Sequence, residues 1–305
     1  TFEIPGAVRL KDLTAVAINL PEGFERTQSG GLAGFVGYDL LSRFVVRIDY
    51  GNRKITFYDP ATWTPAPSDG TPLMLNLDND VPSITAQFEN LPPAQFLLDT
   101  GDESTLRMYG PYVTQNKLDV KYPKGIVSVG GGIGGESRSR VARIESFTVA
   151  GVTLHGIPTE FSQDAKGGAS QILAGSLGSK LLSRFVVTFD YAHSRVFFTP
   201  TPAAAKPFNT HSYGLTLTSE TIHGLVGNPQ TIIVDVAPGS PAERAGIIVG
   251  DRILQIDGQS PHKLGLAGVR HLLTPDGAAA TRTLLLLSPD GKQRSVRIMP
   301  FDPLG

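Results

Sequence analysis

The strongest constraint on the fold of this chain is an internal duplication with an offset of 141 residues. The heptapeptide Leu40–Val46 recurs unchanged as Leu181–Val187, and Asp49-Tyr50 recurs as Asp190-Tyr191. The register also holds upstream of the heptapeptide, where Leu-Ala-Gly at 32–34 matches Leu-Ala-Gly at 173–175. A period this long indicates two related lobes, because the units of a solenoid are much shorter.

Each copy predicts the same local order: an apolar segment with glycine, a short helical turn, and a pair of strands. In the first copy, 44–49 and 55–58 flank Gly51-Asn52, which is a hairpin turn signal. The corresponding strands of the second copy are predicted at 185–191 and 196–198. The chain also contains 34 glycines and 23 prolines, which favour many short strands over long helices. We therefore predict a mainly β fold.

A candidate chemical group follows a short apolar strand, Phe96–Leu98, at Asp99-Thr100-Gly101. A carboxylate in such a place is costly unless it is hydrogen-bonded, so it is either satisfied structurally or kept for chemistry. The triplet also fits ordinary turn chemistry, so it does not decide between these readings by itself. The offset places its first-lobe equivalent about 42 positions before Thr1, where we expect a partner triplet.

A glycine-rich run, 130–135, follows the triplet by about thirty residues. It predicts the tip of a hairpin whose backbone can approach an extended ligand. The run also satisfies the dinucleotide-binding pattern G-x-G-x-x-G after the predicted strand 126–129. That alternative requires a helix next, whereas 141–149 alternates like a strand. A purely structural hairpin is the third reading.

Together, the triplet after an apolar strand, the glycine-rich hairpin and the Leu-Ala-Gly segment before a helical turn resemble the retropepsin-like aspartic proteases. The resemblance implies bilobal β-barrel architecture, with residues 1–62 as the C-terminal part of an incomplete first lobe and residues 72–201 as a second lobe. It implies an aspartic-type endopeptidase acting on protein or peptide substrates. Two carboxylates a few ångströms apart cannot both ionise, so such a pair shares one proton and supplies both base and acid.

The resemblance also assigns roles to individual residues. Asp99 would be one carboxylate of the pair, Thr100 would hydrogen-bond to the opposite loop, and Gly101 would admit backbone N–H groups that a Cβ would obstruct. The loop that follows the strand Phe96–Leu98 and carries Asp99 is called the acid loop. The segment 173–175 would support this loop from behind. The substrate-covering flap would comprise Gly131, Gly132, Ile133 and Gly134.

Two departures from the family pattern bear on activity. Asp102 and Glu103 follow the triplet, where the family usually has a small residue. This added negative charge would oppose ionisation of the neighbouring acid, or it marks a lobe without catalysis. The first acid is missing from the chain, so activity requires an upstream segment or a homodimer, of which we expect the former.

Beyond a predicted linker at 200–207, the pattern changes. A strand at 232–236, a Pro-Gly-Ser-Pro turn, a short helix ended by Gly246 and the run 250–258 resemble a bacterial protease-associated PDZ domain, spanning 209–302. The resemblance implies binding of peptide C-termini by strand addition. The residues it assigns to the carboxylate loop, the pairing strand and the pocket of a helix at 264–273 are Gly214, Leu215, Thr216, Leu217, Val269 and Leu272. The alternative is a PDZ fold used only for packing.

Composition narrows the remaining classes of function. The net charge of −1 gives no basic surface for nucleic acid, and no apolar run approaches the ~18 residues of a membrane helix. The absence of cysteine and the scattered histidines give no support for a metal site, and we expect no cofactor. By resemblance alone, we expect a periplasmic or cell-envelope location. The alternative function is a non-catalytic scaffold of protease fold that binds peptide C-termini through its PDZ groove.

Overall fold

The computed structural model describes residues 1–6, 8–11, 17, 34–132, 135–163, 172–220, 230–275 and 277–305. These residues form two compact units. The first unit ends at Phe208, and the second comprises the described residues of Asn209–Gly305. Both units are built mainly from strands, so the predicted mainly β class, with barrel-like β structure followed by a PDZ domain, is confirmed. The predicted limits of the three segments remain predictions.

The first unit contains short helices and many strands. Its helices are α1 (Tyr38–Leu41), α2 (Gly110–Gln115), α3 (Leu118–Lys121) and α4 (Ser179–Leu182). Its strands are β1 (Phe2–Ile4), β2 (Val8–Leu10), β3 (Val45–Asp49), β4 (Lys54–Tyr58), β5 (Leu73–Met74), β6 (Asn76–Asp78), β7 (Val81–Phe88), β8 (Ala94–Leu98), β9 (Leu106–Met108), β10 (Ile126–Gly132), β11 (Gly135–Val149), β12 (Val152–Ser162), β13 (Gly175–Leu177), β14 (Phe185–Asp190) and β15 (Arg195–Pro200).

The larger sheet of this unit curves back on itself. Its strand order is β10-β11-β12-β9-β13-β8-β7-β6, and the long strand β11 also pairs with β7. The enclosed side is filled by fully buried aromatic side chains, including Phe88, Phe96 and Phe147. Phe96 and Phe147 meet edge to face with their ring centroids 5.0 Å apart, a favoured aromatic geometry. The alternating apolar residues of the sequence therefore form a barrel-like core.

The smaller sheet, β4-β3-β14-β15-β5, joins the two copies of the duplicated sequence. Strands β3 and β14 are duplicates of each other and pair antiparallel, with Val45 opposite Asp190 and Asp49 opposite Val186. Since Val186 is the duplicate of Val45 and Asp190 that of Asp49, the register is symmetric about the pair Arg47–Thr188. The two copies are thus related by a local two-fold axis within one chain.

The glycine-rich run forms a hairpin, which makes the dinucleotide-binding alternative wrong. Strands β10 and β11 pair antiparallel from Ile126–Val141 to Gly132–Gly135. A strand, not a helix, therefore follows the glycines, so no helix N-terminus is present there for a pyrophosphate. Gly131 and Gly132 lie in β10, whereas Ile133 and Gly134 lie outside the described residues.

The segment predicted as a linker is packed on the first unit. After β15 the chain makes a 3₁₀ turn at Pro202–Ala205. The guanidinium of Arg184 donates to the backbone carbonyls of Ala203, Lys206 (2.7 Å) and Pro207 (3.2 Å), and it lies 3.9 Å from the ring centroid of Phe208. These contacts fix the segment up to the end of the unit.

The second unit is a five-stranded sheet with two helices. Its elements are β16 (Leu215–Glu220), β17 (Gln230–Val236), α5 (Pro241–Arg244), β18 (Arg252–Ile256), α6 (Pro261–Leu272), β19 (Arg282–Leu287) and β20 (Gln293–Ile298). The strands lie in chain order. Helix α5 begins where the hydroxyl of Ser240 accepts from the N–H of Glu243 at 3.1 Å, and Gly246 follows its end with φ +73°. The predicted helix at 264–273 begins three residues earlier, with a non-helical residue at Gly265.

A buried carboxylate ties together three parts of the first unit. Glu89 follows β7 with φ +47°, and its side chain accepts from the ammonium of Lys121, the hydroxyl of Tyr122 and the N–H of Glu145 at 3.0 Å. Burial alone would raise the pKa of Glu89, but these donors hold it below its usual range. Glu89 thereby links the β7–β8 turn to α3 and β11.

This network predicts acid sensitivity. Because the folded-state pKa of Glu89 is lowered, its contribution to stability is present above the unfolded value of about 4.3 and is lost as the pH falls through the folded value. We expect Glu89→Gln to cost about 2 kcal/mol at neutral pH and to flatten the decline in stability below about pH 5. Urea denaturation at a series of pH values measures both. The exposed Glu3→Gln is the control, and an equally steep acid decline in both variants would contradict this role.

Candidate active site

Asp99 leaves the centre of the larger sheet at the end of β8. Strand β8 is paired in parallel with β13, and the backbone N–H of Asp99 continues this pairing by donating to the carbonyl of Leu177 at 3.1 Å. Strand β13 also pairs antiparallel with β9, so it is held on both sides. Since Phe96 and Leu98 anchor β8 in the core, the position of the Asp99 backbone is set by the sheet.

The carboxylate of Asp99 is held by its own loop. Its Oδ1 accepts from the N–H of Gly101 at 2.9 Å and from the N–H of Asp102 at 3.1 Å. No donor to Oδ2 is present among the described residues. Asp99 is half-buried, and Thr100 and Gly101 are exposed. A carboxylate with one fixed and one available oxygen is suited to bind water or a second carboxyl group.

The steric reason predicted for Gly101 is wrong. A Cβ on Gly101 would lie 3.4 Å from Oδ1 of Asp99, which is ordinary van der Waals contact. The residue contributes its N–H, and any amino acid except proline carries one. The glycine is therefore not required by space around the carboxylate.

A cavity of about 310 Å³ opens beside Asp99. Both copies of the duplication line it: Gly37 and Tyr38 come from the first, and Tyr191 comes from the second. Asp80, in the turn between β6 and β7, is the other carboxylate on its wall. The remaining lining is largely apolar, including Val36, Leu41, Val46, Ile48, Val81, Pro82, Leu97, Leu98 and Phe189. Asp99 and Thr100 thus face a space that a peptide side chain can enter.

Two tyrosines near Asp99, Tyr50 and Tyr109, were not predicted from the sequence to have a role. The hydroxyl of Tyr50 is buried and makes no hydrogen bond with the described residues. Burial, together with the negative charge of Asp99, raises the pKa of Tyr50 to about 12. Burial also raises the pKa of Tyr109, whose hydroxyl is hydrogen-bonded to Ser176. The only sequence signal that could have pointed to Tyr50 was its position as the duplicate of Tyr191.

The Leu-Ala-Gly segment leads into β13 beside β8, and the backbone contacts with the loop that carries Asp99 are made just after it, by Leu177 and Ser179. Ala174 is buried, and its backbone accepts from the N–H of Tyr109 at 2.9 Å. Two glycines permit the close approach that follows. A Cβ on Gly175 would lie 2.0 Å from the carbonyl oxygen of Arg107, and one on Gly178 would lie 2.2 Å from that of Ser104. Distances this short exclude any side chain at either position without movement of the backbone.

The duplication supplies a matched test of this packing. Gly34 is the duplicate of Gly175, but a Cβ on Gly34 would meet none of the described residues within 4 Å. We expect Gly175→Ala to destabilise the first unit by about 3 kcal/mol or more, because overpacking against backbone cannot be relieved by a rotamer change. Gly34→Ala should leave the free energy of unfolding within about 0.5 kcal/mol. Thermal and chemical unfolding of both variants provides the measurement, and similar stabilities would show that β13 is not packed in this way.

Two further kinds of feature, a metal-binding cluster and a membrane-spanning helix, are not found in the described part of the chain. No cluster of three or more histidine, aspartate or glutamate side chains that could hold a metal ion occurs among the described residues. Within the same residues, no helix is both long and apolar enough to cross a bilayer.

The residues predicted for the carboxylate loop and the pairing strand, Gly214 to Leu217, lie at one edge of the sheet of the second unit. Gly214 has φ +81°, and a Cβ there would lie 2.3 Å from Cβ of Ser240, so glycine is required. Its N–H donates to the hydroxyl of Ser212 at 2.9 Å. Strand β16, with Leu215, Thr216 and Leu217, is at the edge of its sheet and pairs there only with β17 among the described strands.

The two predicted pocket residues on α6 differ in their surroundings. Val269 is fully buried and belongs to the core with Tyr213 and Ile233. Leu272 is half-buried against that core. The side chain of Val269 therefore supports the helix from inside, and that of Leu272 is the partly exposed one of the two.

Comparison with known proteins identifies the second unit. Residues 232–286 match the family model described as PDZ domain. The second unit contains a PDZ domain. No curated protein sequence matches the chain.

Solved structures give partial likenesses. The photosystem II D1 C-terminal processing protease is 28% identical over 32% of this chain and 26% of its own, with a TM-score of 0.27. The PDZ domain of a carboxy-terminal protease from Vibrio cholerae, solved with a peptide, is 22% identical over 30% of this chain and 93% of its own, with a TM-score of 0.22. A retropepsin-like aspartic protease from Rickettsia conorii is 17% identical over 42% of this chain and 98% of its own, with a TM-score of 0.30. The chain spans about a quarter of the length of the first of these proteins.

Proposed function

We propose that the chain is part of an aspartic-type endopeptidase that hydrolyses peptide bonds in protein substrates, with the PDZ domain recruiting substrate or regulating activity. The observation that carries the proposal is the Asp99 carboxylate: one oxygen is fixed by two backbone N–H groups, the other is available, and both copies of the duplication line the cavity beside it. Asp99 would be one of two carboxylates that share a proton.

The chemistry follows from such a pair. The ionised carboxyl takes a proton from a water molecule as the water oxygen attacks the peptide carbonyl, and the protonated carboxyl donates to the carbonyl oxygen. The resulting tetrahedral intermediate collapses when the amide nitrogen receives a proton and the C–N bond breaks. In this scheme Oδ2 of Asp99 faces the water, since Oδ1 is occupied by its loop.

The second carboxylate is proposed to come from a segment upstream of Thr1. The symmetric pairing of β3 with β14 supports this choice over a homodimer, because the strand contact between two equivalent copies is already made within one chain. Thr100 would then hydrogen-bond to the opposite loop. The β10–β11 hairpin, with Gly131, Gly132, Ile133 and Gly134 at and near its tip, would cover the substrate as a flap.

Substitution of Asp99 tests the assignment. In the full-length protein, Asp99→Asn should lower kcat/KM for peptide cleavage by at least about 100-fold, because it removes a group that transfers protons in the transition state. The matched control is Asp119→Asn, an exposed carboxylate at the start of α3. Cleavage of a peptide library followed by mass spectrometry provides the measurement. Unchanged turnover in Asp99→Asn would refute the role of this residue.

A second candidate is a non-catalytic scaffold that binds peptide C-termini. The edge position of β16 and the PDZ match favour it, since an open strand edge can accept an extended peptide. Asp102 and Glu103 also favour the scaffold, because the retropepsin-like family usually has a small residue directly after the triplet. A periplasmic or envelope location is proposed for either function, supported only by the resemblance to envelope proteases.

Peptide titration tests the groove in both cases. We expect saturable binding of peptides with a free C-terminus and about tenfold weaker binding of the same peptides as C-terminal amides, since a lost charge-assisted hydrogen bond costs about 1.5 kcal/mol. Leu272→Lys should weaken the binding of both the free-acid and the amidated peptides. Val249→Lys, at an exposed position in the turn before β18, should leave both affinities unchanged. Equal affinity for acid and amide would remove carboxylate recognition from the proposal.

A further inference from the structure

The acid loop is anchored through the residue that departs from the family pattern. The N–H of Asp102 donates to Oδ1 of Asp99 at 3.1 Å, so the backbone of Asp102 is part of the group that holds the acid. The carbonyl of Asp102 accepts from the N–H of Ser179 at 2.7 Å. Its side chain accepts from the N–H of Ser104 at 2.8 Å, which closes the loop on itself. The position of Asp102 therefore determines where its N–H points.

Arg107 connects this loop to the barrel. From β9, its Nη2 lies 3.7 Å from Oδ1 of Asp102 and 3.2 Å from Oε2 of Glu160. Arg107 and Glu160 are direct partners across the parallel pair β9–β12, so their contact is fixed by strand register. The Nε of Arg107 is buried and makes no hydrogen bond with the described residues. The Nη2 of Arg107 thus lies between a carboxylate that is placed by strand register and a carboxylate of the acid loop.

The balance of charge explains why a carboxylate is tolerated after the triplet. The guanidinium of Arg107 faces two carboxylates, Asp102 and Glu160, and Lys180 from α4 adds a second positive charge nearby. Burial raises the pKa of the Glu160 carboxyl, and the charge of Arg107 acts in the opposite direction. Other titratable groups in or near the loop include Asp99, Glu103 and Tyr109. The charges of Arg107 and Lys180 therefore oppose those of the two carboxylates, Asp102 and Glu160.

We propose that Arg107 is a positioning residue for Asp99: it holds Asp102 against β9 and thereby fixes the turn whose N–H groups bind Oδ1 of Asp99. The part of this inference that concerns catalysis rests on the proposed function, and the part that concerns the loop does not. A surface ion pair contributes little because its side chains are free and solvated. Here one side of the guanidinium is fixed by strand register, so the loop gains a rigid attachment.

The experiment measures the loop directly. The amide proton shifts of Gly101 and Asp102 should follow ionisation of Asp99 as pH is varied, because both N–H groups donate to that carboxylate. In Arg107→Gln we expect the amplitude of this dependence to fall by about half or more, since the charge-assisted hydrogen bonds lose their alignment. Arg107→Lys, which keeps the charge, should restore part of it. Two-dimensional nitrogen–proton spectra of the chain provide the measurement.

The controls separate positioning from general stability. Arg9→Gln removes an exposed arginine that lies 3.7 Å from Glu3, the same separation as in the Arg107–Asp102 pair, and should leave both amides unchanged. Glu160→Gln removes the anchor on β12 without touching the loop, and should shift the same two amides in the same direction as Arg107→Gln. It also serves if Arg107→Gln does not fold. Unchanged amide titration in whichever of the two variants folds would overturn the proposal.

Kinetics of the full-length protein test the part of the proposal that concerns catalysis. Arg107→Gln should lower kcat by about tenfold with little change in KM, because a displaced carboxylate affects the transition state more than substrate binding. A rise in KM with unchanged kcat would contradict the positioning role. If the wild-type protein cleaves no peptide while the amide response to Arg107→Gln is as expected, the proposed endopeptidase fails and the structural coupling of Arg107 to Asp99 stands.

Discussion

The first unit depends on the insertion of β13 between β8 and β9. This short strand carries the backbone that accepts from the N–H of Asp99, and its close contact with β9 is possible because Gly175 lacks a side chain. Gly178, directly after the strand, permits a similarly close contact with Ser104 before β9. A parallel and an antiparallel neighbour on the two sides of one strand place three distant parts of the chain in contact. The end of β8 is thereby held near the sheet centre, and the carboxylate placed there accepts two N–H groups from its own loop.

The duplication gives this arrangement its symmetry. The pairing of β3 with β14 is centred on Arg47 and Thr188, so that each copy contacts the other through equivalent residues. The consequences for the two copies differ. Gly175 and Gly178 are tightly packed, whereas a Cβ on their duplicates Gly34 and Gly37 would meet no described residue within 4 Å. Similarly, Leu177 is fully buried and its duplicate Val36 is half exposed. The symmetric sheet is common to both copies, and the strands that would cover it are described for only one.

Local sequence pattern predicted the elements and much of the site. The hairpins, the strand before Asp99 and the helix after the Pro-Gly-Ser-Pro turn follow from spacing and turn chemistry, which act over a few residues. The role of the Gly101 N–H was implied by the resemblance to aspartic proteases. Residues that act across the sheet were not predicted. Arg107 meets Glu160 through the register of β9 and β12, and Tyr50 comes near Asp99 through the folding of the first copy, neither of which leaves a local signal. Two predictions differ from the structure because contacts between distant residues determine the outcome. Val269, predicted to line the pocket, lies in the core, and the segment after β15, predicted as a linker, is held by Arg184.

The central claim is that the carboxylate of Asp99 acts on a bound peptide. The most direct measurement is a structure of the full-length protein with a peptide in which a secondary alcohol replaces the scissile amide, since such an alcohol mimics the tetrahedral intermediate. The account predicts that the alcohol oxygen lies within about 3.2 Å of Oδ2 of Asp99 and beneath the β10–β11 hairpin. A peptide bound only along β16 of the PDZ domain, with no contact to Asp99, would contradict it.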